Sequence, residues 1–421
     1  MRILFLSHYF PPEVNAPASR TYEHCRAWVE SGHEVTVLTC FPNHPKGQIF
    51  EGYRNRLSQR DDRDGIAVIR LFTYATPNSG FFRRTLNHIV FMVIAIAASA
   101  FVRRHDVVVT TSPQFFNGLA GYLVKFIHRA PWVLEIRDLW PESITAVGAL
   151  SNRTAIRFLG WLEEFAYRKA DRIVVVTDAF KRHIVGRGIA PAKVIPVKNG
   201  VDLGFFSPRE RDERLAETLG LSGKFVVTYA GTIGMAHGLE TVLEVAEWLR
   251  DKPNIRLLVI GEGADKARFC KLREEGKFEN VVVLDQQPKS MMPTIWTLTD
   301  VGLVMLRPLP MFKSVLPSKM FEIMAMSRPI ILSVDGESRE VLEDAKAGIA
   351  VHPGDAKAIA TSILGLIDNS ARARAYGVSG RNYVAIHHDR RQLAHRFESL
   401  LMDLVPTKRT ESAFGSKHVE F

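Results

Sequence analysis

Short apolar runs alternate with longer helical patterns along nearly the whole chain. Ile3–Ser7, Glu34–Thr39, Ala67–Phe72, Val107–Thr110, Val133–Ile136 and Arg172–Val176 are each short, mostly rich in valine or isoleucine, and bounded by turn residues. Apolar strands of this kind, separated by helical stretches such as Arg20–Ser31, predict a parallel sheet covered on both faces. The rhythm pauses at Val197-Lys198-Asn199-Gly200-Val201-Asp202 and Phe205-Phe206-Ser207-Pro208, where Asn-Gly and Ser-Pro punctuate the chain. It resumes with Phe225–Ala230, Arg256–Ile260, Val281–Leu284, Val301–Met305, Pro329–Ser333 and Gly348–Val351. The expectation is an α/β fold of two doubly wound, Rossmann-like domains, residues 1–203 and 204–385. A helix over 386–405 and a polar, flexible tail over 406–421 complete the expected organisation.

One apolar run stands apart. Phe81-Phe82-Arg83-Arg84 leads towards Ile89–Val102, broken only by Ser99, and Arg103-Arg104-His105 follows. A bilayer span needs about 20 apolar residues, and this run has 14. Three readings stay open: a buried core helix, a helix in a membrane interface with its flanking arginines on lipid phosphates, and a true span. The membrane contacts would be Phe81, Phe82, Arg83, Arg84, Arg103 and Arg104. At the N-terminus, Ile3-Leu4-Phe5-Leu6 is too short for a signal peptide and reads as a first strand.

The 421 residues carry a formal net charge of +10 and three cysteines. Cys25, Cys40 and Cys270 are odd in number and far apart, which argues against a disulfide framework or a zinc ribbon and fits a reducing cytosol. A composition of 46% hydrophobic and 24% charged residues argues against collagen, global disorder and a polytopic membrane protein. The positive balance suits nucleic acid, anionic lipid or phosphorylated ligands. No helix-turn-helix, zinc-finger or aromatic RNA-binding pattern is found, so no nucleic-acid partner is expected.

Ligands of tandem doubly wound domains bind at the carboxyl ends of the strands, which directs attention to five loops. Gly231-Thr232-Ile233-Gly234-Met235-Ala236-His237-Gly238 follows a strand and opens a helix, as a phosphate cradle or a ligand-free turn would. Gly261-Glu262-Gly263 lacks the third glycine of the dinucleotide fingerprint, with Lys266 in its place. In Lys313–Glu322, Pro317 suits a first helical turn, and Lys319 and Glu322 share one face. A lysine at a helix start opposes the helix dipole unless an anion sits there; the plain alternative is a surface Lys–Glu pair. The loop His8–Arg20 carries Glu13, Asn15, Ala16 and Arg20. Glu135–Ser143 places Arg137, Asp138 and Glu142 just past a buried strand. There is no G-x-S-x-G elbow and no G-x-x-x-x-G-K-[ST] loop. Asp62-Arg63-Asp64 reads as a solvated loop, and the adjacent His387 and His388 would point about 100° apart on a helix, which is poor for a metal.

Over nearly its full length the chain resembles retaining glycosyltransferases of the GT-B fold, in the large sucrose-synthase-like family 4. The resemblance rests on Gly32-His33-Glu34-Val35-Thr36-Val37-Leu38-Thr39, Asn199-Gly200-Val201-Asp202, the 231–238 loop, and Phe321-Glu322-Ile323-Met324-Ala325 with Arg328-Pro329-Ile330. Asp138-Leu139-Trp140-Pro141-Glu142-Ser143, Phe41-Pro42-Asn43-His44-Pro45 and Pro317-Ser318-Lys319 are similar to the WbuB-like branch of bacterial N-acetylfucosamine transferases. The resemblance implies a cleft with the donor on the second domain and the acceptor on the first, and a C-terminal helix that crosses back. It implies donor contacts at Gly231, Thr232, Gly234, His237, Glu262, Gln287, Arg307, Ser318, Lys319, Met320 and Glu322, with Glu322 on the donor ribose. Acceptor contacts fall at Glu13, Asn15, Ala16, Arg20, Arg137 and Glu142, and the catalytic roles at Lys319, Glu322 and Asp138. Four positions depart from the family pattern. Ser314 stands where the first glutamate of the Glu–seven residues–Glu motif belongs, Thr232 for an arginine, His237 for a lysine, and Arg137 for a histidine.

The activity implied is transfer of a hexose or N-acetylated deoxyhexosamine from a UDP-sugar to a lipid-linked (polyprenyl diphosphate) saccharide, with retention. Neither cofactor nor metal is expected. The setting implied is O-antigen or capsule synthesis at the inner face of a bacterial cell membrane. A sugar-nucleotide epimerase and a non-catalytic donor- or lipid-binding subunit remain the alternatives.

Overall fold

The computed structural model describes residues 1–44, 46–76, 81–112, 114–146, 148 and 150–405. The expected tail over 406–421, Pro45, and the side chains of Phe81, Phe82 and Arg84 lie outside what is described.

The first domain opens with β1 (Arg2–Leu6), α1 (Ala16–Glu30), β2 (Glu34–Cys40), β3 (Ser58–Arg63) and β4 (Ile66–Leu71). It continues through α2 (Phe81–Ser99), β5 (Val107–Thr111), α3 (Asn117–His128), β6 (Trp132–Ile136) and α4 (Glu142–Ala146). It closes with α5 (Arg153–Lys169), β7 (Arg172–Val175), α6 (Asp178–Gly186) and β8 (Val194–Pro196). The strands lie in the order β3-β4-β2-β1-β5-β6-β7-β8. All neighbours are parallel except β3, which pairs antiparallel with β4.

That edge strand corrects the loop expected at Asp62-Arg63-Asp64. Asp64 and Gly65 turn the chain with φ of 53° and 78°, the geometry an Asp-Gly hairpin needs. Charges hid the strand because an edge facing water tolerates them on both faces. Helix α1 also begins earlier than its apolar pattern: the Asn15 side chain accepts the Ala18 N–H at 2.8 Å and caps it, so Ala16 and Arg20 are helical.

The apolar run resolves into a half-buried helix. Phe91 and Ala95 of α2 are fully buried against the sheet, while Leu86 and Val93 face outward. No helix among the described residues is long and apolar enough to cross a membrane, which removes the span reading.

The second domain runs α7 (Glu213–Thr218), β9 (Phe225–Ala230), α8 (Glu240–Trp248), β10 (Ile255–Ile260), α9 (Lys266–Glu275) and β11 (Val281–Leu284). Then come α10 (Met292–Leu298), β12 (Val301–Met305), α11 (Lys319–Ala325), β13 (Ile330–Ser333), α12 (Glu337–Ala345) and β14 (Gly348–Ala350). Helices α13 (Ala356–Asp368), α14 (Ser370–His387) and α15 (Arg390–Leu404) finish the described chain. Its sheet is wholly parallel, in the order β11-β10-β9-β12-β13-β14.

Helix α15 packs on the first domain. Phe397, fully buried, meets the Trp28 ring of α1 edge-on at 5.2 Å, and the Trp28 indole donates to the Ala394 carbonyl at 3.1 Å. At the crossing, the Val201 N–H donates to the His388 carbonyl at 2.9 Å and the Arg390 N–H to the Val201 carbonyl at 3.0 Å. Elsewhere the domains are clasped by charge. Both oxygens of buried Glu337 accept N–H groups at the start of α6, from Asp178 at 3.0 Å and Ala179 at 2.8 Å. A carboxylate on free helix N–H groups is favourable for both partners, and Lys198 lies 2.7 Å from Asp178 and 3.7 Å from Glu337.

Phe397→Ala removes a ring from this aromatic core and is expected to cost about 3–5 kcal/mol. Urea unfolding followed by tryptophan fluorescence checks it; an unchanged midpoint would show that α15 does not support the first domain.

Candidate functional site

The order of the second sheet reverses between β9 and β12, and a crevice opens where the loops of such a pair diverge. The loop after β9 is Gly231–Gly238, and the segment after β12 leads into α11. Gly231 has φ +145°, and a Cβ built there would stand 2.7 Å from the Lys319 Nζ. Only glycine leaves the lysine that room. A Cβ on Gly261 would overlap the Gly231 carbonyl, so Gly261 brings two loops together rather than serving a ligand.

Lys319 is the central residue of this crevice. Its Nζ lies 3.8 Å from the centre of the Tyr229 ring, whose hydroxyl donates to the Thr232 carbonyl at 2.7 Å. That Nζ is buried and has no hydrogen-bond or ion-pair partner among the described residues. Burial lowers its pKa to about 7, opposed by Glu322. His237, from the glycine loop, has an equally buried and unpartnered Nδ1. Burial, aided by the Lys319 charge, pushes its pKa down to about 3, so it is neutral. Burying an unpaired ammonium is costly, and among the described residues the Tyr229 ring face and the field of Glu322 offset that cost only in part. Helix α11 has only seven residues, so the positive charge here belongs to Lys319 rather than to a helix end. Glu322 lies one turn on; burial raises its pKa while Lys289 and Arg390 pull it back.

The first domain carries a second buried cation. Arg137, just past β6, has buried Nε and Nη1 atoms without partners. Burial lowers its pKa to about 9, and Arg20 and Arg390 push the same way against Glu135. Next in sequence, Asp138 joins Glu142 and His183 in meeting Pro310, Met311, Ser314 and Val315 of the second domain around a cavity of about 320 Å³. Glu142 and His183 are 3.4 Å apart. Their contact lowers the Glu142 pKa and raises that of His183, so each holds the other charged. Ser314 lines this cavity, giving it a small neutral wall at the departed glutamate position.

Several expected contacts are placed elsewhere. Arg20 is 2% exposed. It donates to Glu135 and to the carbonyls of Val197 and Lys198, each at 2.8 Å; it braces the domain's own core and cannot reach an acceptor. Glu13 is likewise turned inward, accepting the N–H groups of Asn43 and His44 at 2.9 Å, and burial raises its pKa to about 7. The Asn15 carbonyl oxygen is taken by its cap, with Ala16 exposed beside it. The Met320 side chain is fully buried in the second domain's core. Glu262 holds Lys266 at 2.7 Å, Arg307 holds Glu240 at 3.1 Å, and Gln287 donates to the Asp285 carbonyl at 3.0 Å. Thr232 and Gly234 stay in the loop around Lys319, and Ser318 directly precedes it. His388 stacks on Phe321 at 4.1 Å. Glu23 went unnoticed in the sequence: from α1 it accepts a hydrogen bond from Lys289 of the second domain and forms an ion pair with Arg390 of α15. Its only signal was a carboxylate inside the buried stripe of α1. His183 gave none, since its partner lies 41 residues away.

Two parallel-sheet Rossmann-like domains clasped around such a crevice define the GT-B architecture. Comparison with known proteins agrees. Residues 15–200 match a glycosyl transferase 4-like domain and residues 211–383 the glycosyl transferases group 1 domain. WcaI of Escherichia coli K12, described as a putative colanic acid biosynthesis glycosyl transferase, is 25% identical over 80% of this chain and 84% of its own. Sucrose-phosphate synthase of Thermosynechococcus elongatus superposes with a TM-score of 0.76 at 18% identity, covering 96% of this chain and 98% of its own. Anabaena HepE, solved with UDP and glucose, superposes at 0.72 with 16% identity, covering 96% and 99%. The chain belongs to the glycosyltransferases, as a 4-like domain followed by a group 1 domain.

Arg20→Met strands the buried Glu135 carboxylate, and a loss of about 3–5 kcal/mol is expected. Chemical denaturation checks this; a variant of normal stability with a raised acceptor KM would return Arg20 to the acceptor site.

Proposed function

We propose that the protein transfers a sugar, with retention and without metal, from a UDP-sugar to a hydroxyl of a lipid-linked saccharide. The observation that carries the reading is the buried, unpartnered Lys319 ammonium under a glycine loop: a diphosphate placed there supplies the missing counter-charge. The Anabaena neighbour crystallised with UDP has the same fold. Glu322 is suited to accept hydrogen bonds from the ribose hydroxyls. As the sugar–phosphate bond breaks, charge grows on the leaving diphosphate, and preorganised donors at Lys319 and Arg137 favour that state over the ground state. The departing diphosphate takes the acceptor proton on the same face, which gives retention. Asp138 lines the inter-domain cavity, which supports giving it the role of orienting the acceptor hydroxyl.

WcaI carries a description in colanic acid synthesis, which supports a role in surface polysaccharide, O-antigen or capsule. We extend the proposal to the WbuB-like branch, with an N-acetylated deoxyhexosamine as donor sugar and a peripheral position on the inner membrane face. A thermal-shift panel of nucleotide sugars tests the donor, since a ligand at 100 times its Kd adds about 2.7 kcal/mol. NMR of the product's anomeric centre tests retention, and isomerisation of donor alone would instead indicate an epimerase.

Lys319→Met is expected to lower single-turnover rate by about 10²–10³-fold, and to weaken donor binding less. Unchanged turnover in a folded variant removes the role. The pH dependence follows from the lowered pKa. Below pH 7 the free enzyme's lysine is already charged, so donor affinity does not change through this group. Above pH 7 it is neutral, the bound diphosphate restores the charge, and binding takes up a proton; affinity then falls by up to about tenfold per pH unit. Calorimetry at pH 8 in two buffers of different ionisation enthalpy should show uptake approaching one proton, absent in Lys319→Met. No uptake by the wild type would contradict the pairing.

A further inference from the structure

The sheet face covered by α2, α3 and α5 exposes more apolar surface than any domain core would leave to water. Phe101 is 90% exposed, Val93 56%, Phe126 59% and Trp161 60%, with Leu123 and Phe158 beside them. On α3 and α5 the rings touch in a row: Phe126 to Tyr122 at 5.1 Å, Tyr122 to Phe165 at 5.0 Å, Phe165 to Trp161 at 6.0 Å and Trp161 to Phe158 at 6.1 Å. Patches of this size on a soluble chain mark an interaction surface. Charge says which. Helices α2 and α3 contain no carboxylate. Exposed Arg83, Arg103, Arg104, Arg129, Arg153 and Arg157 border the face. Arginines around an apolar, aromatic band match lipid phosphates around acyl chains.

Between α3 and α5 the same face leads inward. Leu119 and Leu162, half-exposed, line a narrow, mostly apolar cleft with Phe115, Leu134, Ile136 and Trp140. The polar groups in its wall are bonded within the protein. Glu163 accepts from the Tyr167 hydroxyl at 2.5 Å and from Arg187. Gln114 donates to the His88 carbonyl at 2.7 Å, and the Ser112 hydroxyl accepts the Arg137 N–H at 2.6 Å. What the cavity offers a ligand is therefore mainly hydrocarbon. Asp138 lines this cleft and also the cavity between the domains, so the two lie on either side of one residue.

We propose that the slot between α3 and α5 is the subsite for the hydrocarbon chain of the lipid-linked acceptor, drawn from an anionic bilayer lying against α2, α3 and α5. The proposal rests on the lipid-acceptor reading above and adds where the chain lies. Two measurements test it on the full-length protein. In flotation with vesicles of phosphatidylcholine and phosphatidylglycerol, the wild type should rise and a Phe126→Asp/Trp161→Asp variant should not. Both positions are exposed, so the variant should fold; its UDP-induced thermal shift confirms that it has. Equal flotation overturns the docking face.

For the slot, binding of geranylgeranyl phosphate is followed by equilibrium dialysis, with inorganic phosphate as the headgroup control. Leu119→Trp and Leu162→Trp fill the slot and should each weaken binding by about tenfold or more, as excluded methylenes do in an apolar pocket, with flotation and the UDP shift retained. If the wild type binds and both variants bind equally well, the slot is wrong while the lipid-acceptor reading stands. If inorganic phosphate competes as well as the prenyl phosphate, the chain contributes nothing and the slot is wrong. If the wild type neither floats nor binds the prenyl phosphate, the slot and the lipid-acceptor reading fall together.

Discussion

An ammonium group held out of water without a counter-ion is the constraint around which the second domain is arranged. Tyr229 presents its ring to the Lys319 Nζ, and Gly231 leaves the atom space above. The ring and the loop keep solvent away yet supply no anion. An ion pair in place would satisfy the charge and make the free protein more stable, but a paired lysine would have little left for a ligand. The stored cost becomes binding free energy when a diphosphate arrives. It also explains why His237 is tolerable where the family carries a lysine. A second ammonium beside Lys319 would double the burial cost, while a neutral imidazole still offers a hydrogen bond.

That arrangement works only if the first domain stays in register. The ties run through carboxylates on buried or half-buried elements: Glu337 on the start of α6, and Glu23 between Lys289 and Arg390. Each tie joins residues far apart in sequence, and a single parallel bridge between Val201 and Asp389 lies where the chain crosses back. Helix α15 anchors this arrangement because it belongs to the second domain's chain and the first domain's core. Arg390, at its start, therefore reports on both sides of the cleft at once.

The parallel sheets were legible because their signal is local: valine- and isoleucine-rich runs form central strands such as β5, β6 and β12, each buried along its whole length. Lys319 and Glu322 were legible for a related reason, being one helical turn apart. What the sequence hid was pairing at long range. Arg20 looked like a site residue because its partner, Glu135, lies on another strand of the same domain. Glu13 misled in the same way, with the backbone of Asn43 and His44 as its partner. Glu23 gave no separable signal on α1, because its partners Lys289 and Arg390 lie in the second domain and at the start of α15. A charged residue on a loop reads as functional until its counter-charge is found, and only the fold finds it. Strand β3 failed for the opposite reason: nothing long-range hid it, but its charges masked a period-two pattern that an edge does not require.

Topology also accounts for where the apolar cleft ends. Helices α2, α3 and α5 each lead into a strand parallel to its neighbours, so they run antiparallel to the strands, and their N-terminal ends lie towards the strands' carboxyl ends. Leu119 is near the start of α3, and Arg137 and Asp138 follow the end of β6. A slot between α3 and α5 must therefore arrive beside those two residues. A chain lying in it would carry a polar headgroup towards Arg137, whose buried Nε and Nη1 have no hydrogen-bond partners among the described residues. On the proposed reading, the parallel-sheet geometry that gathers a diphosphate on one domain would bring a lipid headgroup to the other. The two substrates would then meet across the inter-domain cavity that Asp138 lines.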